Sequence, residues 1–133
     1  MMTLAEMRAK FPTQQQCSLA VISARWNGSP ICPYCGSPCR LRQSGDYRHH
    51  CNTCNTNFSV TAKTLFAGTK VELQKWFLAI YMLVNSRRRV PDRLLAATIG
   101  VNKNTANYMA MRIRTAMLKD RDFLMAMADE IEK

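Results

Sequence analysis

Four cysteines stand in two pairs, Cys32-Pro-Tyr-Cys35 and Cys51-Asn-Thr-Cys54, with fifteen residues between them. A C-x-x-C step turns two thiolates toward one point, and two such steps supply the four sulfurs of a closed tetrahedral zinc site. A closed shell leaves no position for water or substrate, so one structural zinc is the expected cofactor. Iron in the same ligands and a redox C-x-x-C are the competing chemistries, the latter needing a βαβ surround. His49 and His50 are conceivable alternates to Cys51, but a histidine ligand would break the paired symmetry. They are read as exposed strand residues within reach of phosphate. Cys39 reads as a spare thiol and Cys17 as a buried helix residue.

The elements around these ligands are short. "CRLRQ" and "DYRHH" flank "SGD" as a hairpin, and "NFSVT" supplies a third strand. Such strands cannot bury a core alone, so metal would have to hold them. Upstream, Thr3 with Glu6 and Thr13 with Gln16 form two capping boxes, each opening a short helix. The first should end near Lys10, ahead of Pro12. The second, about 14–25, puts Cys17, Ala20, Val21 and Ala24 on one face, and "NGSP" ends it.

Downstream, Leu73, Trp76, Phe77, Ile80, Tyr81 and Val84 form a helical stripe, and Leu78, Met82 and Leu83 make the other side apolar too. A helix buried on two sides would be the central beam of the domain. Pro91 suits a helix start and Gly100 a helix end, which frames "PDRLLAATIG". Asn102 can cap the next helix, about 103–118, whose inner stripe is Ala106, Met109, Ala110, Ile113, Ala116 and Met117. Asp120 can cap a last one with Leu124, Met127, Ala128 and Ile131 inward. The expected fold is α+β, mainly α: a small three-stranded zinc ribbon packed with a helix-turn-helix bundle. Its segments are N-terminal helices (1–30), ribbon (31–62), three-helix helix-turn-helix domain (63–119) and acidic amphipathic helix (120–133).

Charge points to a polyanion. The chain carries a net +10, and residues 1–119 hold 17 Lys/Arg against four acids, while the last fourteen residues are net acidic. Two helices joined at Gly100-Val101 have the length and turn of a helix-turn-helix, whose second helix meets base edges with its N-terminal turn. Its outward face reads Asn104, Asn107, Tyr108, Met111 and Thr115. Lys103, Asn104, Asn107 and Tyr108 are the candidate base readers, with Thr105 among them as a further candidate DNA contact. Arg112 and Arg114, the run Arg87, Arg88 and Arg89, and the hairpin's Arg40, Arg42 and Arg48 are candidate phosphate contacts. A helical hairpin with a solvated polar face, and arginines that only complement a helix dipole, are the plainer readings.

Three stretches, "FPTQQQCSLAVISARWNGSPICPYCGS", "YRHHCNTCNTNFSVTAKTLFAGTKVELQKWFLAIYMLV" and "LAATIGVNKNTANYMAMRIRTAM", resemble the N-terminal region of zinc-ribbon transposases of bacterial insertion sequences. The likeness runs from Phe11 to Met117. It implies recognition of an element's terminal inverted repeats by ribbon and helix-turn-helix. In that family a following Asp-Asp-Glu type domain cleaves and transfers strands with two metals. The late acids here, Asp120, Asp122, Asp129, Glu130 and Glu132, share one short helix, whereas a two-metal site draws carboxylates from separate elements. The expectation is therefore a sequence-specific double-stranded DNA binder that is not itself an enzyme, with a homodimer or larger transposase-like assembly left open. A stand-alone transcriptional regulator and a protein-interaction adaptor using Met82 and Met111 are the alternatives. "MMTLAEMRAKFP" lacks an apolar signal core, and no stretch reaches the roughly eighteen apolar residues of a membrane span. The expected location is the cytoplasm, beside the nucleoid.

Overall fold

A computed structural model describes residues 3–26, 31–37, 49–51, 53–58, 61, 64–68, 70–86 and 88–132 of the 133. Two short helices come first, α1 (Leu4–Lys10) and α2 (Gln14–Trp26). Both start on the expected hydroxyls: Thr3 Oγ1 accepts from the Glu6 N–H at 3.2 Å, and Thr13 Oγ1 from the Gln16 N–H at 3.1 Å. Each such cap contributes about 1 kcal/mol by satisfying a backbone donor of the first turn.

Strands β1 (His49–Cys51) and β2 (Thr56–Phe58) form an antiparallel pair, with His49 opposite Phe58 and Cys51 opposite Thr56. The pairing therefore crosses the second cysteine pair. The expected hairpin over "SGD", with its first strand, lies outside the described residues, so among those described the ribbon is two-stranded. Ser59 and Val60 of the expected third strand lie outside them as well.

Four helices follow: α3 (Leu73–Asn85), α4 (Asp92–Ile99), α5 (Lys103–Lys119) and α6 (Arg121–Glu132). Helix α3 packs against each of the other five. Trp76, Phe77, Leu78, Ala79 and Ile80 are fully buried in it, as a stripe apolar on two sides requires. At roughly 1.5–3 kcal/mol per large apolar side chain removed from water, this helix makes the largest contribution of any single helix to the burial free energy. One core draws Met7 from α1, Val21 from α2, Leu95 from α4, Met109 and Ile113 from α5, and Leu124, Met127 and Ile131 from α6.

A polar residue pins the corner between α1 and α2 to this beam. Gln74 is buried, donates from Nε2 to the Phe11 carbonyl at 2.9 Å and accepts from Gln14 Nε2. Gln14 Oε1 in turn accepts the Leu73 N–H at 3.2 Å. The exposed Gln14 and the Phe11 carbonyl thus satisfy the buried Gln74 amide, which would be costly to leave unpaired. No helix among the described residues is long and apolar enough to cross a membrane.

Candidate metal centre and nucleic-acid interface

The two cysteine pairs have the same local design. In the first, Gly36 takes a left-handed conformation (φ +76°), its N–H donates to the Cys32 carbonyl at 2.9 Å, and the Tyr34 N–H reaches Cys32 Sγ at 3.4 Å. In the second, Asn55 occupies the equivalent place at φ +56°, a conformation that asparagine tolerates better than most residues. Each turn thus aims its two sulfurs toward the other pair.

All four sulfurs lie within 4.8 Å of one another, Cys32 Sγ at 3.7 Å from Cys54 Sγ and Cys35 Sγ at 3.4 Å from Cys51 Sγ. Sulfurs about 2.3 Å from a tetrahedral zinc stand about 3.8 Å apart, so this set fits the ion. Cys32, Cys35, Cys51 and Cys54 form one structural zinc site, with four thiolates and no vacant position for catalysis. Two of the thiols, Cys51 and Cys35, are already biased toward the thiolate that a cation needs. Cys51 is held down to about 6 by the Cys54 backbone N–H first, with the Cys35 thiol and Thr53 N–H adding to it. Cys35 is lowered by the hydroxyl and backbone of Ser37. Cys54 is pulled down by the Thr56 hydroxyl, but lost hydration and the neighbouring thiols outweigh this and push it up to about 11.

The site has an inner and an outer side. Cys32 and Cys51 are buried with Phe58, and Trp26 packs on them with its ring 6.2 Å from that of Phe58. Cys35 and Cys54 are exposed. Trp26 is the last residue of α2, and the Arg25 guanidinium lies 4.5 Å over its ring, so the ribbon is tied to the helices at this point. Burial lowers the Arg25 pKa while Asp120 and Tyr34 oppose that shift, and Arg25 lines one cavity with Cys32 and Pro33 of the ribbon and Asp122 and Phe123 of α6. Cys17 lies apart in the helical core, where burial and the Glu72 charge push its thiol up to about 12.

The second candidate surface is built by α4 and α5. Gly100 ends α4 at φ +73°, a left-handed conformation costly for other residues, and donates its N–H to Ala96 at 2.9 Å. Asn102 Oδ1 then accepts the Thr105 N–H at 2.8 Å and starts α5. Lys75 clasps the turn by donating to the Gly100 carbonyl at 3.0 Å.

Lys103 and Asn104 are exposed on the first turn of α5, and Thr105 is half-buried. Asn107 is engaged internally, its Nδ2 donating to Asp92 Oδ2 at 2.8 Å and locking α5 to α4. Tyr108 is 45% exposed and sits edge-on to Trp76 at 6.5 Å. Arg114 is half-buried, and Arg88 and Arg89 are exposed after α3. Arg112 is committed to the protein, donating to the carbonyls of Leu65 and Thr64 at 2.7 and 3.2 Å. Arg40, Arg42, Arg48 and Arg87 lie outside the described residues. Leu118, 88% exposed and one heptad beyond the 58% exposed Met111, extends an apolar stripe down α5. Sequence reasoning missed it, although the i, i+7 spacing of Met111 and Leu118 is its signal.

Together these features define a structural zinc ribbon joined to a bundle that presents a helix, a tight turn and a helix. Residues 12–57 match the family described as the transposase zinc-ribbon domain. The chain is also 29% identical over 118 residues, 86% of its own length, to an uncharacterized protein in transposable element ISH50 of Halobacterium salinarum. It spans about two fifths (39%) of that relative. No solved structure matches the chain. The likeness to zinc-ribbon transposases of insertion sequences thus rests on both comparisons as well as on the motifs.

Proposed function

We propose that the chain binds the terminal inverted repeats of an insertion sequence as duplex DNA, without cutting strands itself. The observation that carries this reading is the union, in one chain, of the transposase zinc-ribbon match with an acid-free α5. That helix has 17 residues, among them Lys103, Arg112, Arg114 and Lys119, and no Asp or Glu. A helix of this charge, presented after a tight turn, suits the major groove.

In this reading Lys103 and Asn104 lead the base contacts, since lysine suits guanine acceptors and asparagine pairs with adenine. Thr105, Asn107 and Tyr108 stand behind them, and the exposed Met111 and Tyr108 suit thymine methyl groups. Arg114, Arg88 and Arg89, with Arg40, Arg42, Arg48 and Arg87, take phosphates, which fix register without reading sequence. A dimer or larger assembly would match the paired ends of such an element. The non-catalytic part is supported by the placement of the late acids. Asp122, Asp129, Glu130 and Glu132 share α6, where Glu130 accepts from Ser23 at 2.9 Å and Glu132 from Asn85 at 3.0 Å.

Selection of bound duplexes from fragmented genomic DNA tests the reading. Inverted-repeat ends of a mobile element are expected; promoter operators would instead make the chain a regulator. Zinc-loaded protein that binds no duplex at moderate salt would sink the proposal, and magnesium-dependent nicking would overturn its non-catalytic part. Replacing thymine by uracil at contacted A·T pairs should weaken binding by about 1 kcal/mol or less per methyl, because only the methyl contact is lost.

A further inference from the structure

Arg112 looks in sequence like one more phosphate contact, but three of its five N–H donors are bound inside the protein. Nε donates to the Leu65 carbonyl at 2.7 Å, Nη2 to the Thr64 carbonyl at 3.2 Å and Nη1 to the Tyr108 hydroxyl at 3.0 Å. The guanidinium also lies 5.5 Å from the centre of the Tyr108 ring. Two of its N–H groups therefore hold consecutive backbone carbonyls, which the planar fork of arginine does and the point charge of lysine does not.

The carbonyls belong to the chain that leaves the ribbon. Residues 64–67 form a tight turn, closed by Ala67 N–H donating to Thr64 O at 3.0 Å and by Phe66 N–H donating to Thr64 Oγ1 at 3.2 Å. Phe66 is fully buried, with its ring 5.6 Å from Trp76 and 6.2 Å from Phe123. The turn is thus anchored in the core by Phe66 and fastened to the middle of α5 by Arg112. On its other side the ribbon is fixed at the end of α2 through Trp26 and Phe58.

We propose that Arg112 is a positioning residue that locks the chain leaving the zinc ribbon onto α5, so that ribbon and helix meet one DNA duplex at a fixed spacing. The inference rests on the duplex-binding reading above. It separates Arg112 from the true phosphate contacts: its value lies in its fork, not in its charge.

The test uses the full zinc-loaded chain, R112K and R112Q, and duplexes selected from a random pool by the unaltered protein. The same duplexes are also made with one, two or five base pairs inserted between the halves of the footprint. R112K should bind the selected duplex about tenfold or more weakly with an unchanged salt slope, because charge remains and the fork does not. The penalty for inserted base pairs, steep for the unaltered chain, should shrink in both variants. Wild-type binding by R112K would overturn the proposal, as would an R112Q salt slope reduced by about 0.9 with insertion penalties unchanged, the mark of a phosphate contact. Loss of zinc or helix content in both variants would also overturn it, by making Arg112 a folding residue. If the unaltered chain binds no duplex, the functional reading fails, and hydrogen exchange judges the lock alone. R112K should then speed exchange at residues 64–67 and leave α3 protected; equal protection would refute the lock.

Discussion

The ribbon and the helical body are held by different forces. The ribbon buries Cys32, Cys51 and Phe58 under Trp26, while the helices share a core that takes side chains from all six of them. Among the described residues the first region offers little apolar surface and relies on four cysteines placed to hold one zinc ion. The other needs no ligand. The contrast teaches that a small chain can keep a metal-dependent part and a burial-dependent part side by side, joined at a few named residues.

Removing zinc should open that contrast widest. Structural zinc contributes about 10–16 kcal/mol in small zinc-finger peptides, so chelation or Cys51→Ser should abolish protection of residues 49–58. Far-ultraviolet circular dichroism should keep most of its helical signal. If the helices melt with the metal, the two regions are one cooperative unit. The converse change, Trp76→Ala, removes a fully buried ring from α3 and should cost about 3–5 kcal/mol of helical stability in chemical denaturation. One zinc per chain, measured by metal analysis, should survive the substitution under native conditions.

Gln74→Leu is expected to cost about 1–3 kcal/mol, since it strands the Phe11 carbonyl and the Gln14 amide. Its urea midpoint should fall with zinc content unchanged. The last effect is confined to alkaline pH. Cys17 is raised from 9.0 to about 12 in the folded chain, so the neutral thiol is the favoured form. Its stabilising contribution is fully present below about pH 9 and is lost between pH 9 and 12 at roughly 1 kcal/mol per unit, as the unfolded thiol ionises first. Cys17→Ala should flatten that alkaline limb of the stability profile, and Cys17 should resist alkylation at pH 8 in the native chain.

Much of the helical body is legible in the residues themselves. Thr3, Thr13, Pro91, Gly100 and Asn102 mark helix boundaries, and the two-sided apolar pattern of residues 73–84 marks the central beam. The zinc ligands are equally legible, because their chemistry is set by spacing over a short stretch. What stays hidden depends on partners distant in sequence. Arg112 meets carbonyls 47 and 48 residues upstream, which present no side-chain signal. Gln74 reads as a polar break in an apolar stripe until Gln14 and Phe11 fold onto it. Asn107 reads as a groove-facing amide until Asp92 takes its N–H, and nothing in "TLFAG" announces that Phe66 enters the core.

The unequal burial of the four sulfurs gives metal exchange a direction. Cys32 and Cys51 are shut in by Trp26 and Phe58, while Cys35 and Cys54 face solvent. Among the described residues the outer two are the ligands open to a chelator or an acceptor protein, so a bound zinc would be expected to loosen first from Cys35 and Cys54. Turnover of the ion then becomes a property of the ribbon's rim, and its rate can vary without disturbing the packing beneath.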